Sequence, residues 1–144
     1  MLEGIAEKMA ALRSALDDHV DTTGRLHRSY RDHGLRDADE LETGIWSLIA
    51  GQEKDYPTTF GLVGKEGVLE VSMVGHCRVA ETDEPADLET LELAMLAEAK
   101  TFARGLAIEG LDVHITRMEP SQLLAHPAGF CIVYLEAGPP ARNY

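Results

Sequence analysis

The chain has 144 residues, 44% of them apolar, enough for one ordinary hydrophobic core and too few for two comfortable ones. Its 25 acidic residues against 13 basic ones leave a net charge of −12, so the average surface repels nucleic-acid phosphates unless its arginines are gathered in one place. No run approaches the roughly 18 to 20 apolar residues of a membrane span, and no charged region followed by an apolar one opens the chain, so a soluble, unexported protein is expected.

In residues 2–19, Leu2, Ile5, Met9, Leu12 and Leu16 alternate steps of three and four, which predicts a helix with a narrow apolar stripe suited to one partner surface. Its acids Glu3, Glu7, Asp17 and Asp18 fall to a solvated face. Residues 21–39 hold little apolar material beyond Leu26, Tyr30 and Leu35, are broken by Gly24 and Gly34, and read as an arm or linker. Arg25, Arg28, Arg31 and Arg36 gather there with His27 and His33. Three readings compete for them: a solvated arm, contact with an acidic neighbouring subunit, or contact with DNA.

Residues 40–51 mix β-branched, aromatic and aliphatic side chains at strand length, and Leu41, Ile45, Trp46, Leu48 and Ile49 make that strand apolar on both faces. Helices can cover one face, and a second chain is an economical cover for the other. A long loop is predicted over residues 52–67, where Pro57 excludes regular pairing and Tyr56, Phe60, Leu62 and Val63 have no core position. Residues 68–80 form the clearest strand, with Leu69, Val71, Met73, Cys77 and Val79 on one face and Glu70, Ser72, His76 and Arg78 on the other.

The strongest periodicity lies in residues 87–106, where Leu88, Leu91, Met95, Ala99, Phe102 and Leu106 form one helical stripe. Asp83, Glu84 and Pro85 mark its start, and Gly105 and Gly110 its end. Leu111, Val113 and Ile115 alternate with Asp112, His114 and Thr116 in a further strand, residues 119–129 read as an irregular connection, and residues 130–136 form a last strand. The order predicts an α+β fold: a four-stranded, mainly antiparallel sheet with two helices packed on one face. An N-terminal helix and arm (1–39), a core domain (40–137) and a tail (138–144) are the expected divisions.

Recognisable catalytic chemistry is missing from the pattern. In residues 61–67 the glycine spacing is two short of a phosphate loop, and Glu66 follows the lysine where Ser or Thr would hold magnesium. His19, His27, His33, His76, His114 and His126 show no metal-ligand spacing, and the adjacent His76 and Cys77 face opposite sides of a strand. Ser47, Ser72 and Ser121 lack a nucleophile elbow. Glu89 and Glu92 read as solvent-face helix charges, and Cys77 and Cys131 as buried thiols in preference to a disulfide or a metal pair. A non-enzyme without catalytic residues, metal or cofactor is expected.

The run GIWSLIAGQEKDYPTTFGLVGKEGVLEVSMVGHCRV, followed by EPADLETLELAMLAEAKTFA, LDVHITRMEPSQ and GFCIVYLE, resembles the tail terminator (tail completion) proteins of long-tailed bacteriophages. The resemblance covers about residues 40–137 and lies in element order, loop placement and texture. It implies a virion protein, assembled in the host cytoplasm, whose six-membered ring caps the tail tube, ends its polymerisation and joins tail to neck. Its partners would be further copies of itself, the tail tube protein and a neck or connector protein, with DNA passing through the lumen without tight binding. The expected subunit or partner contacts are Arg25, Arg28, Tyr30, Arg31, Trp46, Tyr56, Phe60, Leu62 and Val63. Competing readings are a neck or head–tail connector protein, and a small ligand-binding regulatory module whose loop at 52–67 closes over a metabolite.

Overall fold

The computed structural model describes residues 4–23, 44–54, 67–122 and 126–139. They form α1 (Ile5–Thr23), β1 (Ile45–Lys54), β2 (Val68–Arg78), α2 (Pro85–Arg104), β3 (Asp112–Pro120) and β4 (Ala128–Gly138). The four strands make one sheet in the order β1-β2-β4-β3, with every neighbouring pair antiparallel. Two hairpins therefore meet along β2 and β4, and β2 and β3 run parallel with β4 slotted between them.

Alternation decides which face is covered. On β2, Leu69, Val71, Met73, Gly75 and Cys77 are buried, while the residues that alternate with them are half-buried. Their cross-strand partners on β1 and β4 share that face, including Leu48, Val133 and Leu135, and join Met9, Leu12 and Leu16 of α1 and Leu88, Met95, Leu96, Ala99 and Phe102 of α2 in one core. α2 lies over β3 and β4, and α1 lies against β1. The two helices thus cover the same face, as the α+β reading requires. Because its stripe enters the common core, α1 and the sheet form one packing unit.

Helix α2 begins where its charges dictate. The Glu84 N–H donates to Asp87 Oδ2 at 3.0 Å, the Ala80 N–H donates to Asp83 Oδ2 at 3.0 Å, and Pro85 occupies the first turn, where no N–H is missed. At its other end the Gly105 N–H reaches the carbonyls of Thr101 and Phe102. The buried stripe runs through Leu88, Glu92, Met95, Leu96, Ala99 and Phe102, and Leu91 is only half-buried. Strand boundaries also move: β1 continues through Gln52, Glu53 and Lys54, β3 continues through Pro120, β4 spans Ala128–Gly138 where 130–136 is expected, and β2 ends at Arg78. Pairing to β2 carries the polar end of β1, and Pro120 is accommodated as the last residue of an edge strand.

Candidate functional site

Opposite the helices the sheet is open among the described residues, and two bulges determine what it presents. On β1, Ala50 pairs with Val71 but Glu53 pairs with Leu69, a slip of one residue. Unslipped, Glu53 would stand opposite Val68 on the open face; the bulge turns it to the helix side and leaves Lys54 on the open side. On β3, Ile115 pairs with Leu135 and Arg117 with Tyr134, again a slip of one, so Arg117 is turned out of the core onto the open face. Thr116, the extra residue, donates its hydroxyl to the Tyr134 carbonyl at 3.2 Å.

The open face has an apolar half and a charged half. Ile49 (51% exposed) and Phe130 (36%) stand out from half-buried Val74 and Ile132. In the charged half, Lys54 Nζ lies 3.1 Å from both Glu70 and Glu136, and hydrogen bonds to these two carboxylates hold its pKa above the ordinary lysine value. The Arg117 guanidinium carbon sits 4.2 Å from the centroid of the Tyr134 ring, and its Nε is 3.0 Å from Glu119 Oε1. A shallow groove of about 470 Å³ runs between these clusters, lined by Gly51, Glu70, Ser72, Thr116, Arg117, Tyr134 and Glu136 among others. Lys54 is matched by two carboxylates of the same face and Arg117 by one, so acid slightly outweighs base and the groove offers a hydrogen-bonding floor and no concentrated anion site.

Two buried charges define the ends of the sheet. Glu92 is 1% exposed and accepts the Ser121 N–H at 2.8 Å and the Ser121 hydroxyl at 2.6 Å. The expectation of a solvent-face charge is overturned there: residue 92 falls four after Leu88 and three before Met95, on the buried stripe itself, and the two hydrogen bonds its oxygens accept from Ser121 offset its desolvation. With the Val79 N–H donating to the Pro127 carbonyl and His126 Nε2 2.9 Å from the Asp83 carbonyl, this contact ties the β3–β4 connection to α2. At the other end Lys8, also 1% exposed, reaches Glu53 and the Gly67 carbonyl.

Of the nine residues expected at contacts, Trp46 is corrected. It is fully buried within the chain, opposite Gly75 on the helix-covered face, where a Cβ at Gly75 would come within 3.0 Å of the indole. The ring is core, and its buried Nε1–H has no hydrogen-bond partner among the described residues. Arg25, Arg28, Tyr30, Arg31, Tyr56, Phe60, Leu62 and Val63 lie outside the described residues. Sequence reasoning missed Lys8, Glu92 and Arg117. A signal existed for Glu92 in the phase of the α2 stripe, and for the β1 bulge in Gly51, where a Cβ would lie 2.8 Å from the Glu70 carbonyl oxygen. Cys77 and Cys131 are buried free thiols.

Among the described residues no group of three or more His, Cys, Asp or Glu side chains is placed to hold a metal. No protein-family model matches the sequence, and no curated protein matches it either.

Proposed function

We propose that the protein is a structural virion subunit that assembles into a ring on the end of a phage tail tube, stops its polymerisation and presents a surface to the neck. The observation that carries the self-associating part is the sheet with both helices on one face and Ile49 and Phe130 exposed on the other. A face of this kind gains by association, since each apolar group withdrawn from water contributes about 25 cal/mol per Å². The step from self-association to tail termination rests on the sequence resemblance, supported by the order helix, hairpin, helix, hairpin. Termination follows if the two ring faces differ, one matching the tube end and the other matching a neck protein and not another tube subunit.

Native mass spectrometry with negative-stain imaging of the purified chain tests the reading. Rings of defined subunit number are expected. A monomer at micromolar concentration that binds small metabolites in the Glu70–Tyr134 groove would replace it with the ligand-binding reading.

A further inference from the structure

We propose that Lys8 is a positioning residue that makes docking of α1 the condition for a closed β1–β2 end. Its Nζ, held inside the protein, donates at 2.7 Å to Glu53 Oε2 and at 2.7 Å to the carbonyl of Gly67. Glu53 belongs to the last turn of pleat on β1, and Gly67 immediately precedes β2, so one side chain of the helix grips both strand ends that flank residues 55–66. The grip depends on the β1 bulge, because only the slip between Ala50 and Glu53 brings Glu53 to the helix side. The next residue, Lys54, is held on the opposite face by Glu70 and Glu136. Consecutive residues of one strand end are therefore fastened from both sides of the sheet, one of them by a separate helix.

Stability alone does not account for a buried pair of this kind. Well-packed apolar side chains in its place are often as stabilising, because the ions lose their hydration. What the pair adds is direction: Nζ meets both acceptors at a single helix position. If the ring reading holds, the strand ends that Lys8 fastens belong to the fixed frame of each subunit; this consequence rests on that reading.

Hydrogen–deuterium exchange on the full chain tests the inference, with Lys8→Met and the paired replacement Lys8→Met with Glu53→Leu. In the single variant, amides at residues 51–54 and 67–70 should exchange about tenfold faster or more, with β4 amides unchanged. The paired variant should regain the thermal midpoint of the native protein, yet keep fast exchange at the same amides, because the Gly67 carbonyl still lacks its donor. Native-like protection of these amides in the paired variant would reduce Lys8 to a structural contact and overturn the inference. Equal acceleration in β4 would do the same. Both readouts stand whether or not the native chain forms rings, so failure here is separable from failure of the assembly reading.

Discussion

Cys77 and Cys131 lie on the helix-covered face of neighbouring strands, and burial is the main reason their thiols resist ionisation. Cys77 is pushed up to about 12 and Cys131 higher still, with the Glu92 carboxylate opposing a thiolate at both. In the unfolded chain a thiol titrates near the ordinary value of 9.0. Between these values the unfolded state has released protons that the folded state retains, so their contribution is complete below pH 9 and is lost as pH rises above it. Each thiol should lower stability by up to about 1.4 kcal/mol per pH unit in that window. Urea midpoints measured from pH 7 to 10.5 should therefore fall more steeply for the native protein than for Cys77→Ala with Cys131→Ala. Parallel curves above pH 9 would mean that the thiols are not as buried as their surroundings indicate.

At the scale of elements, α1 shows how a stripe finds its surface. Its periodic residues suit one partner, and Met9, Leu12 and Leu16, none more than 2% exposed, meet the core of their own chain, while Ile5 at the edge stays 40% exposed. Replacing Leu12 by Ala should cost roughly 2 to 5 kcal/mol by transfer and cavity terms together. Leu93→Ala, at a position on α2 that is 51% exposed, should stay within about 0.5 kcal/mol. Chemical denaturation of the two variants separates the cases. A Leu12 effect no larger than that of Leu93 would assign the α1 stripe to another molecule. The bulges on β1 and β3 act at the same scale, since each interrupts an edge strand and so limits uncontrolled strand addition while re-aiming one charged side chain.

For the whole molecule, charge sets the expectation toward nucleic acid. With 25 acidic against 13 basic residues, the mean potential at a phosphate is repulsive, and Arg25, Arg28, Arg31 and Arg36 are the one sequence-local counterweight. Even if all four met phosphates, the contact would be weak, independent of base sequence and sensitive to salt. Fluorescence anisotropy with a short duplex at physiological salt should show no saturation below about micromolar protein. Submicromolar binding that persists as salt rises would identify a DNA-binding protein and remove the reason for proposing an unobstructed lumen.

Alternation, helical periodicity and capping act over neighbouring residues, and so the helices and strands, their order, the buried face of β2 and the start of α2 were legible before any contact was known. Trp46 marks where that stops: a strand apolar on both faces does not say which side chains go inward, and opposition to Gly75 settled it. The entry of β4 between β2 and β3, the faces taken by Glu53 and Arg117 at the bulges, and the burial of Lys8 and Glu92 came from long-range packing. A one-residue slip exists only relative to a paired strand. A buried charge is tolerable only where distant partners converge on it, and these partners lie 45 residues from Lys8 and 29 from Glu92 along the chain.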